Sequence, residues 1–107
     1  GKKEKAAADI YGRDETWWRD KVRRWKEQLK QATANYEAAN KRYSERLEEL
    51  SGKQQMSPTQ HRMSTAELGS LKEEKTKFQV QIDEANEMLK KLSKEAEEAK
   101  ANPDWLK

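Results

Sequence analysis

Cysteine is absent from this 107-residue chain, and histidine occurs once, as His61. Disulfides and thiolate metal sites are therefore excluded, and a lone histidine offers no metal-ligating pattern. No apolar run approaches the roughly 20 residues that cross a bilayer. There is also no glycine-rich phosphate loop and no nucleophile elbow. These absences predict a protein that is not an enzyme and that uses no cofactor, metal or small-molecule substrate.

The residues that are present favour long helices. Charged residues make up 40% of the chain and hydrophobic residues only 33%, which suits helices that bury one narrow seam better than a thick globular core. Only two prolines interrupt the many strong helix formers. The 23 basic and 20 acidic residues leave a net charge of +3, which argues against nucleic acid as the partner.

Two stripes of apolar residues recur with alternating steps of four and three residues. The first contains Trp18, Val22, Trp25, Leu29, Ala32, Tyr36, Ala39, Tyr43 and Leu50, and the second contains Leu68, Leu71, Phe78, Ile82, Ala85, Leu89, Leu92, Ala96 and Ala99. A sustained repeat of this kind is typical of coiled coils. The sequence therefore predicts an all-α fold, a two-helix antiparallel coiled-coil hairpin over residues 13–102.

The ends of the two helices are predicted from capping residues. The first helix is expected over about 14–51, because Gly52 suits a left-handed C-cap. The loop is expected over 52–63, with Ser57 and the proline after it starting a short helical turn. Ser64 and Glu67 have capping-box spacing, so the second helix is expected over 64–101. Residues 1–12 are expected to form an N-terminal tail and residues 103–107 a C-terminal tail that packs at the open end.

The register of the hairpin follows from its stripes. A tight reversal near residue 59 makes the numbers of opposing residues add to about 117. Arg42 then lies opposite Glu74, and Lys75, in a seam position, lies opposite the ring of Tyr43. Arg46 also occupies a seam position. A polar residue on such a seam usually sets register or oligomeric state at some cost in stability.

Four aromatic residues are predicted to meet at the open end of the hairpin: Tyr11, Trp17, Trp18 and Trp105. They could cap the end of the seam, or they could anchor a partner as an interaction patch. A second candidate contact region lies at the tip and contains Met56, His61, Arg62 and Met63. A third feature is a basic strip on the first helix: Arg19, Lys21, Arg23, Arg24, Lys26 and Lys30. Its acidic neighbours favour a solvated face over a nucleic-acid site.

The frame of the chain resembles a group of small exported bacterial coiled-coil proteins of unknown function. The resemblance rests on Trp17–Trp18–Arg19, which opens the first helix, and on Pro103–Lys107, where a proline precedes a Trp-Leu pair. It implies a periplasmic or envelope-associated protein with no catalytic residues, and a cytoplasmic location stays the alternative. Because the chain begins with Gly1 and not Met, we expect that an upstream segment was removed.

Two functions remain in competition. The first is a non-catalytic structural or protein-interaction module whose protein partner is unknown. Leu47 and Met88 widen the seam, so two copies could form a homodimer as a four-helix bundle. The alternative is a stalk-like or chaperone-like hairpin of a larger intracellular machine, or an arm that touches nucleic acid weakly.

Overall fold

The chain folds as an all-α helical hairpin, as predicted. The computed structural model describes residues 8–53 and 55–107. Helix α1 covers Glu15–Ser51, helix α2 covers Pro58–Glu98, and a 3₁₀ helix covers Pro103–Leu106. Neither of these long helices is apolar enough over its length to cross a membrane. Part of the predicted N-terminal tail lies outside the described residues. Gln54 of the predicted loop also lies outside them.

Helix α1 begins one residue after the predicted position because Asp14 caps it. The backbone N–H of Trp17 donates to Asp14 Oδ1 at 3.0 Å, the usual N-cap arrangement. At the other end, Gly52 does not adopt the left-handed conformation expected of it. Its N–H instead donates to the carbonyl of Glu48 at 3.2 Å, which continues the helical bonding pattern past Ser51.

Helix α2 begins at Pro58, and the prediction that it begins at Ser64 is wrong. The hydroxyl of Ser57 accepts from the N–H of Gln60 at 3.1 Å, and the Gln60 side chain accepts from the N–H of Ser57 at 3.0 Å. This reciprocal capping box satisfies two donors at the true helix start. Ser64 is buried inside the helix, and its hydroxyl lies 3.8 Å from Met56 Sδ. The connection between the helices is therefore half as long as expected.

Helix α2 ends at Glu98, three residues before the predicted end. Lys100 adopts the left-handed conformation, with φ of 59°. The N–H of Ala101 donates to the carbonyl of Ala96 at 2.9 Å, and the N–H of Lys100 donates to that of Glu97 at 3.2 Å. These two bonds define a Schellman motif, in which glycine usually occupies the position of Lys100.

The chain divides into two compact units. The first combines the described residues up to Lys30 with Asp83–Lys107. Its buried cluster consists of Trp18, Val22, Leu92, Ala96, Ala99, Ala101 and Trp105, with Trp17, Trp25, Leu89 and Leu106 packed against it. The cluster contains residues of both predicted stripes together with the C-terminal tryptophan. Helix α1 and helix α2 therefore share one apolar core in this unit.

The second unit, Gln31–Ile82, confirms the predicted register. Arg42 forms an ion pair with Glu74, and Lys75 Nζ lies 4.7 Å from the centroid of the Tyr43 ring. Both pairs were predicted from residue numbers that add to about 117. The charge of Lys75 in the seam is therefore stabilised by a cation–π contact between its ammonium and the Tyr43 ring.

Arg46 is the other polar residue in the seam of the second unit. Its Nε donates to Glu67 Oε1 at 2.8 Å, and its NH1 donates to Glu49 Oε1 at 2.9 Å. The hydrogen bond to Glu49 is the largest cause that raises the pKa of Arg46 above its ordinary value, and the hydrogen bond to Glu67 is the next largest. The guanidinium thus joins two carboxylates that the predicted register places opposite each other.

Candidate interaction surface

Residues 8–14 form an ordered turn before helix α1, where the sequence predicts a tail. Ala8 and Asp14 form an isolated antiparallel bridge. The N–H of Asp9 donates to the carbonyl of Arg13 at 2.8 Å, and the N–H of Gly12 donates to the carbonyl of Asp9 at 3.0 Å. Gly12 has φ of 84°, a conformation that glycine adopts without strain. The backbone therefore closes on itself just ahead of the helix.

The carboxylate of Asp9 is the polar centre of this turn. Oδ1 accepts from the backbone N–H groups of Tyr11 at 2.8 Å and Arg13 at 3.0 Å. Oδ2 accepts from Arg13 Nε and from Trp18 Nε1, both at 2.8 Å. Its side chain has no exposed surface. Burial raises the pKa of Asp9, but these hydrogen bonds outweigh burial and lower it from 3.8 to about 2.

The turn is attached to the end of helix α2. The N–H of Ile10 donates to the carbonyl of Ala99 at 2.9 Å. Beyond the helix, the Asn102 side chain accepts from the N–H of Asp104 at 3.0 Å and caps the 3₁₀ helix. That short helix places Trp105 in the buried cluster, where it is 6% exposed. Ile10, near one chain end, and Trp105, near the other, therefore both contact residues at the open end of the hairpin and stabilise it.

The guanidinium of Arg13 lies among three aromatic rings. Its Cζ is 5.1 Å from the centroid of Tyr11, 4.6 Å from that of Trp17 and 4.8 Å from that of Trp18. Lys21 Nζ lies 5.3 Å from the Trp17 centroid. Cation–π contacts of this length are favourable, more so where the cation is partly desolvated. Arg13 is also paired with Asp9, so its position is fixed from two directions.

The structure separates the four aromatic residues predicted to form one patch. Trp18 is 0% exposed and Trp105 only 6%, so both belong to the core and neither forms part of an exposed aromatic patch. Tyr11 is 71% exposed, and Trp17 is half-buried. The accessible surface is a different set, which we call the aromatic corner: Ile10, Tyr11, Arg13 and Trp17. Trp18 and Trp105 therefore cap the core, whereas Tyr11 and Trp17 contribute to the surface.

Two residues that organise the aromatic corner were missed from the sequence. Asp9 lies in the predicted tail and Arg13 just ahead of the predicted first helix, and neither lies on an apolar stripe. An Asp three residues before a Gly is, however, a turn signal, since its carboxylate can accept from the backbone N–H groups that follow. That signal was present in the sequence. Its link to Trp18 depends on a tertiary contact that no local pattern shows.

The predicted tip residues do not form a single patch. His61, Arg62 and Met63 are all exposed, and Met63 has 67% of its surface accessible. They occupy consecutive positions of helix α2 and therefore point in different directions. Met56 is half-buried beneath Ser64. The part of the chain that the structure describes contains no cluster of three or more metal-ligating side chains, at the tip or elsewhere.

Part of the predicted basic strip lines an open groove of about 420 Å³ on the first unit, which we call the basic groove. Val22 and Trp105 contribute apolar surface to it. Its other lining residues are Arg19, Arg23, Lys26, Glu27, Lys30 and Lys107. Lys21 and Arg24 lie outside it. The groove therefore combines apolar and positively charged surface beside the packed C-terminus.

Comparisons with protein-family models, with curated proteins and with solved structures find no match to this chain.

Proposed function

We propose that this protein is a non-catalytic protein-interaction module that contacts its partner through the aromatic corner. The observation that carries the proposal is the exposure of Ile10 and Tyr11, at 58% and 71%, on a turn held by a buried carboxylate. Apolar side chains exposed on a rigid support lose little conformational freedom on binding. Such surfaces are suited to protein recognition.

The composition of the aromatic corner supports the same proposal. Tryptophan, tyrosine and arginine are the residue types most enriched among those that dominate binding energy at protein interfaces. Arg13 is held against Tyr11 and Trp17 before any partner arrives. A partner therefore meets a preformed surface with both apolar area and a hydrogen-bond donor.

Removing the side chain of Tyr11 tests the proposal. The full chain and its Tyr11→Ala variant are immobilised and exposed to an extract of the source cells. We expect the wild type to retain a specific protein and the variant to lose it, with a loss of affinity of about tenfold or more. Because Tyr11 is largely exposed, the melting temperature should stay close to that of the wild type.

Val80→Ala is the control for Tyr11→Ala, because Val80 is also a largely exposed hydrophobic residue, at 59%, but lies in the second unit, outside the aromatic corner. This variant should retain the same protein as the wild type. Equal capture by the wild type and the Tyr11 variant would contradict the proposal.

The cellular setting that we propose is the bacterial envelope, which is what the resemblance of the Trp17–Arg19 and Pro103–Lys107 motifs implies. Fractionation of the source cells checks this proposal, and recovery in the cytoplasm would favour the alternative of an intracellular stalk. The alternative function would place the contact at the tip, where Met63 is 67% exposed in the first turns of helix α2 and its flexible side chain suits contact with varied partners. A partner captured by wild type but lost in Met63→Ser would identify the tip as the contact.

A further inference from the structure

We infer that the basic groove is a second docking surface, and that it takes an acidic amphipathic helical segment of a protein partner. The inference rests on the proposed function, since it specifies the chemistry of the partner of an interaction module. Five basic residues and one acidic residue line the groove, a formal charge of +4.

Lys26 and Lys30 are the cations most available to a partner. Other bases of the groove already have carboxylates: Arg19 pairs with Glu15, Arg23 with Asp20 and Lys107 with Asp104. Over residues 8–53 and 55–107, neither Lys26 nor Lys30 forms an ion pair. They are four residues apart and lie on one face of helix α1. Two acidic residues four apart on a partner helix match this spacing.

The dimensions and apolar surface of the groove favour a helix over a small molecule. From Arg19 to Lys30 helix α1 rises about 16 Å, the length of about three helical turns. The groove is open along its side, whereas small-molecule pockets enclose most of their ligand. The small exposed parts of Val22 and Trp105, 5% and 6% of their surfaces, lie among the charged side chains of the groove and add apolar contact. An apolar side chain placed between two acidic residues would meet both features.

Nucleic acid suits the groove less well than an acidic protein segment. Stacking on a base needs an open ring face, but Trp105 is 6% exposed, and the half-buried Trp17 already has the cations of Arg13 and Lys21 over its ring. Glu27 in the lining would also repel a phosphate backbone. A helix can place its acidic residues beside the lysines and away from Glu27, which a uniformly charged strand cannot do.

Fluorescence anisotropy tests the inference with a labelled peptide of about 12 residues, long enough for three helical turns. The peptide carries glutamates four residues apart with leucines between them on the same face. A second peptide replaces the leucines with serine, and labelled oligothymidylate of similar length is the nucleic-acid probe. In about 0.15 M salt, we expect the leucine peptide to bind the full-length chain at least about tenfold more tightly than either comparison probe.

The double variant Lys26→Glu, Lys30→Glu should weaken binding of the leucine peptide by about tenfold or more. The matched control Lys90→Glu, Lys94→Glu makes the same charge change at the same spacing on exposed positions of helix α2. It should leave binding within about twofold of wild type. All these positions are exposed, and circular dichroism checks that each variant folds.

Four results would overturn the inference: no saturable binding of the leucine peptide, equal binding of the serine peptide, tighter binding of oligothymidylate, or unchanged binding by the Lys26, Lys30 variant. Self-association that this variant abolishes would show that a second copy is the occupant, which also overturns it. The proposed function fails separately, through retention of the captured protein by Tyr11→Ala. If Tyr11→Ala loses the captured protein but the leucine peptide does not bind, only the inference about the basic groove is overturned.

Discussion

At the scale of single residues, Asp9 shows how a charged group can be buried in a protein with few buried residues. A carboxylate removed from water loses hydration, which must be replaced by donors from the protein. Two backbone N–H groups, a guanidinium and an indole N–H supply four such bonds. Because these donors come from the turn and from helix α1, the carboxylate fixes the turn against the helix.

We predict that Asp9 makes the folded state sensitive to acid. Its pKa is about 2 when folded, below its ordinary value of 3.8, so its stabilising effect is complete above pH 4. The effect is lost as the pH falls from about 4 to about 2. Urea unfolding across this range should show the wild type losing stability more steeply than Asp9→Asn.

The matched control for Asp9 is Asp104→Asn, because the Asp104 side chain is 67% exposed and forms a surface ion pair with Lys107. At neutral pH, Asp9→Asn should lower the melting temperature much more than Asp104→Asn does. Parallel pH profiles for the wild type and Asp9→Asn would contradict the role assigned to the carboxylate.

At the scale of elements, the helix ends show where local sequence signals compete. Ser57 and Ser64 are both followed three residues later by a side chain that can complete a capping box. The proline after Ser57 suits the first helical turn, and the box forms there. Glu67 bonds instead to Arg46 of the other helix. Spacing alone could not decide between the two serines, because the competing bond is tertiary.

We predict that Lys100→Gly stabilises the protein. Lys100 holds a left-handed conformation that costs a residue with a Cβ about 1–2 kcal/mol, whereas glycine adopts it freely. Part of this gain is offset by the greater freedom of glycine in the unfolded chain. The expected net increase in the free energy of unfolding is about 0.5–1 kcal/mol, measured by urea denaturation.

Lys94→Gly is the matched control, since Lys94 is an exposed residue in the interior of helix α2. There glycine should lower the free energy of unfolding by about 1 kcal/mol. A destabilising Lys100→Gly would show that the side chain of Lys100 contributes contacts worth more than the backbone strain.

At the scale of the whole molecule, the two apolar stripes were sufficient to predict the hairpin and its register. The seam residues Trp18, Leu92 and Ala99 do lie in one core, and Arg42 meets Glu74 as predicted. The candidate site was only partly predictable. Periodicity finds residues that are buried along a helix, but the aromatic corner depends on a turn outside both helices. Its exposed residues could be recognised only after Asp9 was placed.

The two units differ in how much apolar surface they bury, and this difference predicts unequal stability along the helices. The first unit contains Trp18, the largest fully buried side chain of the described residues, within a seven-residue cluster. The hydrophobic residues buried in the second unit are Ala32, Ala39 and Leu50, so far as the described ranges show. Local opening is easier where fewer apolar contacts must be broken.

We therefore predict that hydrogen exchange separates the units. Amides at 18–30 and 85–96 should exchange about tenfold more slowly than those at 33–48 and 64–80, equivalent to about 1.4 kcal/mol in opening free energy. Measurement over a range of protein concentrations adds a second test. If the second unit becomes equally protected only at high concentration, another copy covers its exposed Leu47, as the proposed four-helix bundle would. Equal protection at every concentration would show that alanine packing and the Arg42 and Arg46 ion pairs hold this unit as firmly as the tryptophan core holds the other.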